Sequence, residues 1–356
     1  MAGQVTPSHP TKAGALRFAQ VYRALLPFLS LAVVLLVFLL TDLFTNGGIQ
    51  KFGEMMSPGN LMLVANQNVI VALGALGMTL VIINGGIDLS PGSSIALSTV
   101  VIALCLKSGF GSSAALLAGL GTGAAIGFLN GVIITRFKIV PFIATLGMMS
   151  IARGLAKVMS SEEKISITNV NPNPLTGAPQ GAGGEDSKIW LTDMLYGEGL
   201  GPFSSGIVTL AVLAIALWAV LRYTVFGRYV FAIGSNETAA RLCGLRVEGQ
   251  KTLVYMLAGL FFGAAAIMEF SLLGNGDPST AVGKELDIIA AVVIGGGSLS
   301  GGKGSVLGSL VGAYIISLLR NGCVLYDIPN PVQEIVTGLI IVAAVTIDQL
   351  LLRRRS

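Results

Sequence analysis

Apolar runs of about twenty residues recur along this 356-residue chain, and a helix of about 17–25 residues is what crosses the ~30 Å hydrocarbon core of a bilayer. The pattern predicts spans over 25–44, 60–83, 90–107, 112–134, 140–159, 206–224, 251–273, 286–299, 304–321 and 331–351. Only 11% of the residues are charged, against roughly 25% in soluble domains, so a soluble fold this large would lack polar side chains for its surface. The 47 glycines lie largely inside the apolar runs, where small residues let helices approach closely in lipid. The expected fold class is therefore all-α: a polytopic transmembrane helical bundle of about ten spans, some of them short or broken.

Orientation is read from lysine and arginine, which accumulate in cytoplasmic loops. An even number of spans puts Lys12, Arg17, Arg23, the 225–250 connection with Arg228, Arg241 and Arg246, and Arg353–Arg355 on one side. Both termini are then cytoplasmic. The division expected is a tail over 1–24, a single membrane domain over 25–351 and a short tail over 352–356. Within it, 160–205 is an outer loop and 225–250 an inner one. The first span follows a basic stretch as a signal peptide would, but it is too long for such a core and no small-residue cleavage site follows, so it reads as an anchor.

A net charge of +4 could suggest nucleic acid, yet the basic residues flank apolar spans and form no patch. Cys105, Cys243 and Cys323 have no paired spacing and the one histidine, His9, lies in a polar tail. Disulfides, structural zinc and histidine catalysis thus lack their residues, and no catalytic or metal-binding set is expected.

Gly119, Gly123, Gly127 and Gly131 recur every four residues and so line one helix face, a device repeated by Gly304, Gly308 and Gly312. The face could be a wall that rocks or static packing; static packing is the simpler account. In "VIINGGIDLSPGSSIAL" (81–97) and "VVIGGGSLSGGKGSVLG" (292–308), glycines end one helix and a serine can cap the next. These are either broken membrane helices, which mark transport sites, or ordinary hairpin turns. "GSLSGGKG" (297–304) approaches a phosphate-binding loop, but Gly304 stands where a hydroxyl residue should bind magnesium. Nucleotide binding by this loop is not expected.

Three segments, "ALGMTLVIINGGIDLSPGS" (75–93), "GRYVFAIGSNETAARLCGL" (227–245) and "ELDIIAAVVIGGGSLSGGKGSVLGSLVGA" (285–313), resemble the inner-membrane permeases of ribose-type ABC sugar importers. The resemblance covers roughly residues 58–351, and permeases for other pentoses and hexoses, autoinducer-type furanosyl compounds and nucleosides share much of it. It implies a permease dimer, two cytoplasmic ATPase subunits that hold the ATP and magnesium, a periplasmic solute-binding protein, a bacterial inner-membrane location, and no cofactor on this chain. It also matches the loop at Ser235, Asn236, Glu237, Ala239, Ala240, Arg241 and Gly244 to the segment that docks on the ATPase. Physically, Ser235 or Asn236 can cap a short helix, Glu237 and Arg241 suit its positive and negative ends, and Gly244 can terminate it. A self-contained loop helix is the alternative. Residues 160–205 depart from the family pattern in length and polarity, and form either an added binding-protein surface or a disordered insertion.

A neutral solute is carried by amides and hydroxyls rather than by costly intramembrane charges. Asn66, Gln67 and Asn68 cannot share one helical face, so at least one should face the interior; bonding between helices competes with solute contact. Asn84, Asp88, Ser93, Ser94 and Asn130 are further candidates for the solute path. Arg153, Glu269 and Glu334 lie toward the expected outer ends of their spans, where outer-gate ion pairs are conceivable but snorkelling to polar surroundings is the simpler account. A secondary carrier and a membrane enzyme are the rival classes; no intramembrane carboxylate has the central place a proton-coupled carrier needs, and no His, Cys or carboxylate cluster forms a reaction centre.

Overall fold

The structure, a computed structural model, describes residues 31–32, 34–44, 48–166, 190–195, 197, 199–200 and 203–353. The tail expected over 1–24, the first turn of the 25–44 span, most of the 160–205 connection and residues 354–356 lie outside the described residues. Helices follow the apolar runs: α1 Val34–Phe44, α2 Gln50–Met55, α3 Pro58–Ile83, α4 Pro91–Lys107, α5 Ser112–Phe137, α6 Pro141–Ser160, α7 Ser205–Tyr223, α8 Val225–Ser235, α9 Glu237–Leu242, α10 Val247–Leu273, α11 Lys284–Ile294, α12 Val306–Leu325 and α13 Asn330–Arg353. Six of these, α3, α5, α6, α7, α10 and α12, are long and apolar enough to cross a membrane, while α1 and α4 are shorter apolar helices. The last helix carries on through Arg353, past the expected boundary at 351.

Helix α3 is the centre of the bundle. Pro58 starts it at a position where no backbone donor is needed, and the Ser57 hydroxyl caps it by accepting from Asn60 N at 3.3 Å. From Asn68 to Ile83 every residue is buried, as a helix that is apolar all round requires. Helices α7, α10, α11 and α12 pack around it. The α5 glycines meet α10 directly: a methyl group at Gly123 would overlap the Gly259 carbonyl, and one at Gly127 the Tyr255 carbonyl. Gly308 and Gly312 likewise lie against Gly295 and Ala291 of the preceding segment. Gly304 differs from the expectation. It precedes α12, because the Ser305 hydroxyl accepts from Gly308 N at 2.9 Å and starts the helix one residue later.

The span expected over 286–299 is not a full crossing. Helix α11 has 11 residues, about 16 Å of rise, and stops at Gly295–Gly297. Its side chain Ile288 abuts Gly74 of α3, so it occupies only one half of the bundle's height. The stretch leading into it folds inward after α10, where Asn275–Gly276 (β2) pairs antiparallel with Ile165–Ser166 (β1).

Candidate functional site

The three segments around 84–94, 234–244 and 295–305 converge at one end of the bundle. Gly302 N donates to Ile83 O at 2.8 Å, joining the end of α3 to the loop between α11 and α12. Gly234, near the end of α8, is pressed onto the same carbonyl so closely that a methyl group there would overlap it. Gly301 completes the junction. Its φ of +84° is a left-handed conformation that favours glycine, and a methyl there would come within 2.9 Å of Gly85 Cα. Four glycines thus let three chain segments touch backbone to backbone.

Helix α9 projects from this junction. Asn236, rather than Ser235, is its cap: Asn236 Oδ1 accepts from Ala239 N at 2.9 Å. Ser235 instead ends α8, and its hydroxyl donates back to Phe231 O at 2.8 Å. Gly244, at φ +81°, closes the far end. Glu237 accepts from Lys251 Nζ at 2.6 Å and from Arg241 at 3.3 Å, while Arg241 also reaches Glu248 at 2.5 Å. The Lys251 hydrogen bond, with Arg241 beside it, holds the Glu237 carboxyl below its ordinary range. These bonds brace a helix of 6 residues, too short to persist alone. Ala240 faces inward against Ile233 and Val247, whereas Leu242 is 85% exposed at the tip.

The first broken element is interior, not a surface hairpin. Asn84, Asp88, Ser90, Ser93 and Ser94 are buried. Asp88 Oδ1 accepts from Ser90 N at 2.7 Å and from Ser90 Oγ at 2.6 Å, and Asn130 Nδ2 donates to that same hydroxyl at 3.0 Å. Ser90 does stand at the expected cap position, directly before Pro91 opens α4, but its hydroxyl is turned onto Asp88 and makes no capping bond to the helix. Ser93 donates to Ser90 O at 3.0 Å. The second Asp88 oxygen, Asn84 Oδ1, Asn130 Oδ1, Ser94 Oγ and the Tyr255 hydroxyl are buried with no partner among the described residues.

Of the three consecutive amides, Asn66 accepts from Ser204 at the start of α7 and Asn68 from Ser317 of α12 at 2.9 Å, so both join helices. Gln67 lies exposed. Arg153 and Glu269 do not snorkel. Arg153 Nη1 donates to Pro278 O at 2.9 Å and Thr280 O at 2.6 Å, while Glu269, buried, accepts from Thr280 Oγ1 at 2.5 Å and Lys284 Nζ at 2.5 Å. Together they clamp the inward-folded stretch before α11, because its turn leaves carbonyls that need donors. Glu334 is exposed. The ion pair between Asp287 and Arg320, at 2.6 Å, was missed in the sequence reading. Its signal was present, since an acid inside "ELDIIAAVVI" is a functional suspect by default.

Long apolar helices, one interrupted inside the bundle, and a braced polar helix outside it define a multi-pass membrane protein of the transport type. Residues 60–345 match the family described as branched-chain amino acid transport system / permease component, and the chain belongs to that family: it is a transport permease rather than an enzyme. It is 37% identical over 292 residues, covering 81% of this chain and 85% of the relative, to the ribose import permease protein RbsC of Escherichia coli (strain K12). To the ribose import permease protein RbsC of Bacillus subtilis (strain 168) it is 36% identical over 344 residues, 95% of this chain and 97% of the relative. The fructose import permease protein FrcC of Rhizobium meliloti is 34% identical over 319 residues, 89% of this chain and 85% of its own length. No solved structure matches the chain.

Proposed function

We propose that this chain is the membrane-spanning permease subunit of a bacterial ABC importer for a monosaccharide, a pentose or hexose, in the inner membrane with both termini cytoplasmic and about ten spans. ATP and magnesium are held by two separate ATPase subunits, a periplasmic binding protein delivers the solute, and the permease acts as a dimer. The observation that carries the reading is the braced helix α9, whose base is welded through Gly234 to both broken elements at Ile83 and Gly301–Gly302. A partner that moved α9 would move the two interruptions with it. The exposed Leu242 suits an apolar groove on such a partner. The relatives for ribose and fructose support the solute class.

Reconstitution in proteoliposomes with the cognate ATPase and binding protein tests this. Uptake of labelled sugar should require ATP and both partners; uptake by the chain alone would favour a secondary carrier. Charge reversal at Glu237 and Arg241 is a poor probe of docking, because it would set like charges against Lys251 and Glu248 and unfold α9. Leu242→Asp leaves the bracing intact and should lower ATPase binding at unchanged membrane insertion.

A further inference from the structure

We infer that the surface formed by Val282 in the turn before α11, Leu286 on α11 and the Arg320 guanidinium of α12 lines the aqueous solute path, rather than facing lipid. The meaning of the path rests on the permease reading; the wetting of the face does not.

The depth of the ion pair is the first step. Ile288, next to Asp287, abuts Gly74, which lies nine residues, about 14 Å, from the Ile83 end of a helix about 39 Å long. Centred on a ~30 Å hydrocarbon core, that level is about 6 Å from the middle. Arg320 springs from a higher level, since its neighbours Ser317 and Asn321 bond Asn68 and Asn60 of α3. Its side chain nevertheless turns down to Asp287. An arginine facing lipid extends toward the nearest interface, and this one extends toward the centre.

Exposure is the second. The Asp287 carboxylate is 1% exposed, but the Arg320 side chain is 44% exposed. A charged side chain in contact with hydrocarbon near the midplane costs about 2.5–3.5 kcal/mol on insertion scales. A half-open guanidinium there calls for water on its open side. In the same stretch of chain as Asp287, the inward-folded turn presents Val282, 72% exposed, and the first turn of α11 presents Leu286, also exposed. That turn is held by Arg153 and by the Glu269–Lys284 pair. Three further charged groups, Arg153, Glu269 and Lys284, thus meet this stretch. Helix α7, by contrast, carries one charged residue, Arg222 in its last turn, and none beside the exposed Val212 and Ile215.

Single cysteines test the wetting directly. In the full chain with Cys105→Ser, Cys243→Ser and Cys323→Ala, Val282→Cys and Leu286→Cys are compared with Val212→Cys and Ile215→Cys, exposed positions on α7. The probe is a charged, membrane-impermeant thiol reagent added to both sides of membrane vesicles. Such a reagent needs an ionised thiol and water, so Val282→Cys and Leu286→Cys should react about tenfold faster or more than the α7 pair. An uncharged maleimide on denatured protein reports that each thiol is present. Equal, slow reaction at all four positions overturns the inference, whether lipid or a second copy covers the face. A chain that labels as expected yet transports without ATP sinks the importer reading alone.

Discussion

Alanine at Gly301 should loosen the junction beneath α9. Its methyl carbon would lie 2.5 Å from the Gly234 carbonyl oxygen and 2.9 Å from Gly85 Cα, while real contacts of this kind hardly fall below 3.0 Å. The loop must therefore retreat by about 0.5 Å, the gap between 2.5 and 3.0 Å, or the end of α8 must. Two costs add. A left-handed backbone with a Cβ costs about 1–2 kcal/mol, and an inserted methyl in a filled site about 1–3 kcal/mol. Gly274 separates them, since it has φ +66° but open space around it. Gly301→Ala should destabilise by about 2–5 kcal/mol and Gly274→Ala by about 1–2 kcal/mol, measured by equilibrium unfolding in mixed micelles. In proteoliposomes with the ATPase, Gly301→Ala should also raise the ATP hydrolysed per sugar imported, with Gly274→Ala near the parent value. Equal stability losses and equal coupling in the two variants would refute the reasoning.

Arg320→Met strands a buried carboxylate and should cost about 3–5 kcal/mol, much of it recovered in the double variant Arg320→Met with Asp287→Leu; unfolding of the three proteins checks the recovery. Gly127→Ala forces α5 off the Tyr255 carbonyl and should destabilise by about 1–3 kcal/mol. By contrast Gly121→Ala, on the open side of the same helix, should be neutral or gain about 0.5–1 kcal/mol. Because the hydrogen bond from Lys251 holds the Glu237 carboxyl below its ordinary range, its bracing is complete above that range and is lost as pH falls through the lowered value. Hydrogen exchange of α9, corrected for intrinsic rates, should show protection at neutral pH that is lost as pH falls below the ordinary carboxylate range; unchanged protection in strong acid would remove Glu237 from the brace.

Much of this molecule was legible before folding. Spans 60–83, 112–134, 206–224 and 251–273 match α3, α5, α7 and α10 within a few residues, because a bilayer demands long apolar helices whatever their neighbours. The capped helix at 236–244 was legible for the same local reason, since a cap and a terminating glycine act within one turn. Local rules failed where a side chain had two possible partners. Ser90 looked like a cap and bonds Asp88, Ser235 looked like a cap and bonds Phe231, and Arg153 looked like a snorkelling end group and holds a turn 125 residues away.

Hydropathy and capping chemistry alone determined that the chain is a helical membrane bundle with an interruption after α3 and a polar helix beyond α8, since both follow from solvent and nearest neighbours. Which segments meet was decided by the tertiary structure. That Gly85, Gly234, Gly301 and Gly302 share one junction, and that Arg320 turns inward to Asp287, depend on contacts between residues far apart in the chain, whose pairing only close packing selects.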